Sequence, residues 1–200
     1  MPAPRSKANP WEDHYTQKAR KEHFPARSVF KLEEIQQKFR LIKKGNRVLD
    51  LGCAPGSWLM LVASLTGPSG MVVGIDILPV PVTLPFHVRV FTADMLDLPE
   101  DISDAIGRDF HLVLSDMAPS TTGSKSVNAA RSYELCEVAL TTAQNRLLPG
   151  GHFVCKIFQG EDFETFIQKI KSSFTQYRIF KPQSCRKASR EIYIIGLNKR

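Results

Sequence analysis

The sequence predicts a doubly wound α/β fold: a mostly parallel, seven-stranded sheet with helices on both faces. Three observations predict it. Short apolar segments are bounded by turn residues, helical patterns lie between several of them, and a glycine-bearing turn follows the first segment. Arg47 to Leu51, Met71 to Ile75, Val88 to Thr92, Phe110 to Ser115 and His152 to Ile157 are too short for helices and read as strands. Trp58 to Leu65, Ala129 to Leu148 and Phe163 to Phe174 read as helices. Strand, helix and strand in repeated order imply parallel pairing. Tyr177 to Phe180 and Glu191 to Leu197 add two strands, joined by the basic, hydroxyl-rich loop KPQSCRKASR. Ahead of the sheet, Val29, Phe30, Leu32, Ile35 and Phe39 recur at helical spacing, with Lys31, Glu34 and Lys38 toward the other side. The chain up to Pro25 is polar and without clear periodicity. Residues 1–25 therefore read as a basic flexible arm and 26–200 as one domain.

A chain of 200 residues, 42% of them hydrophobic, can bury one substantial core. No run approaches the roughly 18 apolar residues of a membrane span, and the start lacks a signal-peptide apolar core. The cytoplasm is the expected address. Four scattered cysteines without a CxxC, and five histidines without a spaced cluster, give no zinc pattern. The net charge of +7 is unevenly placed: residues 1–47 hold twelve Lys and Arg against five Asp and Glu, and residues 48–200 hold fifteen of each. A basic arm on a neutral body suits a polyanion such as RNA, because each phosphate contact releases counterions. A solvated basic tail would have the same composition.

The sharpest local signal is VLDLGCAPGSW, a buried strand that runs through Gly52 and Gly56 into a helix. Glycines there permit a tight turn and close approach of a ligand at the carboxyl end of a parallel strand. The third glycine of a pyrophosphate fingerprint is missing, and Asp50 would repel an anion, so a ligand with a cationic head fits better. Asp76 closes the second strand, where a carboxylate can accept both ribose hydroxyls of an adenosine. Asp94 follows the third strand, where it could face an adenine amino group, and Asp116 ends the fourth. Four aspartates at four successive strand ends are expected to line one cleft. Lys156 interrupts the apolar strand FVCKIF, a costly position for an unpartnered charge.

RSVFKLEEI, LDLGCAPGSW, GIDILPV, LSDMAPSTTG, LPGGHFVCKIFQG and SREIYIIG occur in an order that resembles the FtsJ-like ribose methyltransferases over nearly the whole chain. The resemblance implies a Rossmann-like methyltransferase fold of the class that uses S-adenosylmethionine, with a last strand inserted antiparallel. It implies a tetrad of Lys31, Asp116, Lys156 and Glu191, and a cofactor site at Gly56, Trp58, Asp76, Asp94 and Asp116. The implied substrate is a ribose 2'-hydroxyl, that of a uridine, in large-subunit (23S) ribosomal RNA within the assembled or assembling subunit, modified by a monomeric enzyme. Ser57 departs from a glycine common in that family, Cys53 from an alanine, and the stretch before Asp94 differs in length.

A sugar hydroxyl is a poor nucleophile, so transfer from a sulfonium needs in-line positioning and removal of a proton. Lys156 is the candidate base, or else an orienting cation: burial and a neighbouring cation favour a neutral amine, and nearby acids oppose them. Asp116 would hold Lys156, while Lys31 and Glu191 would fix the ribose. Arg186, Lys187 and Arg190, with the arm and the helix around Lys31, form the expected RNA platform. The alternatives are a tRNA or mRNA-cap ribose methyltransferase, an NAD dehydrogenase, which lacks the phosphate fingerprint, and a non-catalytic RNA-binding assembly factor, which would not need the tetrad.

Overall fold

The computed structural model describes residues 10–120, 122–186 and 188–200. Helices α1 (Pro10–Lys21) and α2 (Val29–Phe39) precede β1 (Arg47–Leu51), α3 (Ser57–Thr66), β2 (Met71–Asp76), β3 (Val88–Thr92), α4 (Glu100–Ile106) and β4 (Phe110–Ser115). Helix α5 (Lys125–Arg146), β5 (Leu147–Phe158), α6 (Phe163–Ser173), β6 (Phe174–Phe180) and β7 (Glu191–Lys199) complete the chain. The strands form one sheet in the order β3-β2-β1-β4-β5-β7-β6. Pairing is parallel from β3 through β5, and β7 inserts antiparallel between β5 and β6. The expected fold is the one observed.

The two-residue period of each strand decides what faces what. Leu49, Leu51, Val113, Phe153 and Cys155 point to one side and pack on Ala139 and Leu140 of α5 and on Phe166 and Ile170 of α6. Val48, Leu112, Leu114, Val154 and Tyr193 point to the other, against Leu32 and Ile35 of α2 and Trp58, Leu59 and Val62 of α3. By the same alternation Asp50 and Lys156 belong to the α2 and α3 side, so two ionisable residues of strands flanking β4 share a face with the helix that carries Lys31. No described helix is long and apolar enough to cross a membrane.

Three expectations need correction, and one helix is added. The supposed arm contains α1, which docks on α2: Ala19 and Phe30 are buried together, Tyr15 meets the Phe30 ring at 5.5 Å, and Lys18 pairs with Glu33 at 3.8 Å. Residues 1–9 lie outside the described residues, as does Lys187 of the expected RNA platform. Helix α5 stops at Arg146, not Leu148, because Leu147 already pairs with Phe110; the register then shifts before Leu112 meets His152. Helix α4, seven residues with only Ile106 buried, lacks the apolar stripe that would have revealed it. Finally, Asp50 is not at a strand end. It lies one residue inside β1 and is fully buried.

Candidate active site

The carboxyl ends of β1, β2, β4 and β5 converge on one edge, joined there by the start of β7 through the pair Phe158↔Glu191. The turn after β1 brings the fourth strand's acid close. Gly52 has φ 76°, and a Cβ there would sit 3.0 Å from the Met117 backbone, so a side chain would push away the segment that holds Asp116. Asp116 is further fixed by its N–H, which donates to the Leu51 carbonyl at 3.2 Å.

Lys156 Nζ lies 3.0 Å from Asp116 Oδ1 and also donates to the Asp116 carbonyl. Its side chain is 5% exposed, so the pair is held in a largely dry pocket. Tyr193, directly opposite Lys156 in the β5–β7 ladder, donates its hydroxyl to the same Oδ1 at 2.7 Å. Across the cleft, Lys31 Nζ reaches both oxygens of Glu191 at 3.1 Å. The structure thus gathers all four tetrad residues into two ion pairs.

Their protonation follows from this layout. Burial opposes charge on Asp116, but Lys156 and Lys31 together with the Tyr193 hydroxyl outweigh it and hold the carboxyl below its ordinary range. Burial likewise opposes charge on Lys31, and Asp116 and Glu191 outweigh it, holding the ammonium above the usual lysine value. Burial, then Asp116 and Glu191, drive the Tyr193 phenol well above its normal range, so it stays a donor.

Asp50 is different in kind. Neither carboxyl oxygen has a hydrogen-bond partner among the described residues, and burial, then Asp116 and Asp76, push its pKa well above the carboxylate range. It sits beneath the Gly52 turn, where burial favours its neutral, protonated form.

The expected cofactor residues part company here. Asp76 accepts from Ala54 N at 2.8 Å through Oδ2 and from Leu78 N at 2.9 Å through Oδ1, which fixes it beside the turn while each oxygen keeps a second lone pair. Gly56 (φ 106°) starts α3, and a Cβ there would strike Val82 and Val80 at 2.7 and 2.8 Å. Asp94 is exposed and accepts from Leu96 N at 2.9 Å. Trp58 is 3% exposed, and its indole N–H donates to the Ser28 carbonyl at 2.8 Å, so the ring is a packing element rather than a wall of the cleft. Ser57 Oγ likewise receives Ala26 N at 2.7 Å. These two bonds tie the first turn of α3 to the segment that leads into α2. Tyr193 was missed from sequence; the signal was its place two residues after Glu191, hence on the same face of the strand.

An FtsJ-like methyltransferase family model matches residues 24–199. The chain belongs to this family. It is 58% identical over 194 residues to the ribosomal RNA large subunit methyltransferase E of Desulforapulum autotrophicum, covering 97% of this chain and 96% of that protein. The protein of the same name from Desulfatibacillum aliphaticivorans is 53% identical over 192 residues, 96% and 93% of the two chains. Among solved structures, a Plasmodium falciparum protein described as a ribosomal RNA methyltransferase superposes with TM-score 0.75 at 24% identity, over 88% of this chain and 98% of that one. The fibrillarin pre-rRNA processing protein of Methanococcus jannaschii superposes with TM-score 0.56 at 14% identity, over 80% and 69%. These two likenesses bear on the fold. Membership in the family makes the protein a methyltransferase.

Proposed function

We propose that this protein transfers a methyl group from S-adenosylmethionine to a ribose 2'-hydroxyl, that of a uridine, in large-subunit ribosomal RNA. The carrying observation is the buried pair of Lys156 and Asp116, 3.0 Å apart at the mouth of the β1 turn, with Lys31 and Glu191 facing it. High identity over nearly the full length to proteins named for the large ribosomal subunit supports the choice of RNA. On this reading the protein acts as a monomer in the cytoplasm on the assembled or assembling subunit.

The residues fit a sulfonium cofactor. Gly56 lets Val80 and Val82 pack close beside the turn, the free lone pairs of Asp76 match a ribose diol, Asp94 is exposed toward an adenine amino group, and Asp116 supplies negative charge for a cationic head. When bound, the cofactor supplies an electrophilic methyl carbon. Lys156 takes the hydroxyl proton as the new bond forms when it meets the ribose as the neutral amine, and orients the hydroxyl when it is charged; in either case Asp116, through its carboxylate and its backbone carbonyl, holds the ammonium in the geometry described. Lys31, held by Glu191, orients the ribose. Arg190 and the start of α2 meet the neighbouring phosphates.

The test is methyl transfer from labelled cofactor to large subunits lacking ribose methylation, with the labelled position mapped and Lys156→Ala compared. Label on one uridine 2'-oxygen, lost in the variant, is expected. Cofactor binding without label on subunits or free ribosomal RNA would overturn the choice of substrate.

A further inference from the structure

The sheet has a second basic feature that the site does not use. β6 is an edge strand, paired only with β7. Its antiparallel course sets Phe180 beside Tyr193, near the site, and Phe174 beside Lys199, at the other end of the sheet. At about 3.3 Å per residue those ends lie roughly 20 Å apart.

At the Phe174 end, a groove of about 390 Å³ is lined by Lys171, Tyr177, Arg178 and Arg200 with Phe174 at its base. No carboxylate side chain lines it, and none of the three cations forms an ion pair among the described residues. Elsewhere on the surface Lys18 and Lys169 are paired with glutamates. Lys171 Nζ lies 5.5 Å from the Tyr177 ring centroid, and Arg178 donates to the Tyr177 carbonyl and to Gln176 Oε1, so two of the cations are held in place rather than free to wander. Lys171 answers the negative end of α6, and basic residues guard edge strands against pairing. Neither need calls for two guanidiniums beside an ammonium and a phenol around one groove. That set is the chemistry of phosphodiester recognition, in which cations and hydroxyls fix the register of a strand.

We propose that this groove is a second contact for the RNA substrate's phosphate backbone, roughly 20 Å from the methyl-transfer site by the strand spacing. The proposal rests on the reading of the substrate as RNA. It implies that the enzyme grips an extended footprint, so that a short hairpin carrying the target ribose forfeits part of the affinity that a whole subunit receives.

The experiment compares wild type with Lys171→Gln/Arg178→Gln on large subunits and on a short target hairpin, across a salt series, with cofactor affinity and thermal unfolding measured alongside. On subunits, KM is expected to rise about tenfold with kcat unchanged, and the slope of log kcat/KM against log salt to flatten by about 1.5, near 0.7–0.9 per lost phosphate contact. Cofactor affinity, unfolding temperature and hairpin kinetics should match wild type. Unchanged KM and salt slope on subunits would overturn the proposal. A raised KM with an unchanged salt slope would also overturn it, and would assign the edge to a protein strand. Absence of wild-type activity on any RNA would instead strike the functional reading on which the groove depends.

Discussion

Replacing Asp50 with asparagine should stabilise the unliganded protein, and by an amount that depends on pH. The carboxyl is fully buried, both oxygens lack partners, and Asp116 and Asp76 add their repulsion to the effect of burial. Its folded-state pKa is therefore raised above that of the unfolded chain, where an aspartate titrates at about 3.9. Between those two values the folded state binds the extra proton, so stability is fully present below the unfolded value and declines as pH rises. At about 1.36 kcal/mol for each pH unit above 3.9, the ceiling at pH 7 is about 4 kcal/mol, reached when the folded carboxyl keeps its proton throughout. Asparagine preserves shape and removes the titration. For a chain of this size about 2–4 °C accompany each kcal/mol, so the variant's advantage should approach on the order of 10 °C at pH 7 and vanish near pH 4. Unfolding temperatures followed by circular dichroism from pH 4 to 8 measure it. A difference between the two proteins that is the same at both ends of that range, or a variant less stable at pH 7, would refute the reasoning.

Tyr193→Phe removes one donor from Asp116 and leaves the packing against Trp58, so stability should fall by about 1 kcal/mol while kcat drops and the acid limb of its pH profile moves upward; denaturant melts and pH-rate curves would show both. Gly52→Ala should be worse than its size suggests, losing more than about 1 kcal/mol and most activity, because the positive φ and the Met117 backbone both resist a Cβ. Lys156→Arg keeps the charge beside Asp116 but cannot take a proton, so single-turnover methyl transfer should fall at least about a hundredfold with cofactor affinity intact. Full activity in that variant would remove Lys156 as the base.

The parallel strands were legible because each is a short apolar run stopped by turn residues, and Lys156 was legible because it breaks such a run. What the chain does not write down is registry. Nothing in SREIYIIG says that Tyr193 faces Lys156; that follows only once β7 lies antiparallel beside β5. Helix α1 escaped notice for a related reason. Its burial rests on Ala19 with Tyr15 half-buried, two small contacts against Val29 and Phe30 that make no stripe by themselves. The one-residue displacement of Asp50 from the strand end reverses its meaning, from a cleft wall to a buried acid. Local pattern locates elements, but a single residue of offset decides whether a carboxylate meets solvent or protein.

The two hydrogen bonds between the starts of α2 and α3 carry a consequence for how the two halves of the reaction evolve. Ser57 belongs to the turn that faces the cofactor on the proposed function, and its hydroxyl anchors the backbone just before the helix that presents Lys31; Trp58 does the same through Ser28. The donor and acceptor sides therefore share a hinge pin. On the proposed function, a mutation that reshapes the turn to admit a different donor also tilts the lysine assigned to the ribose, so novelty on one side is inherited by the other, and changes in cofactor preference within this scaffold travel with compensating changes near the amino-terminal helices.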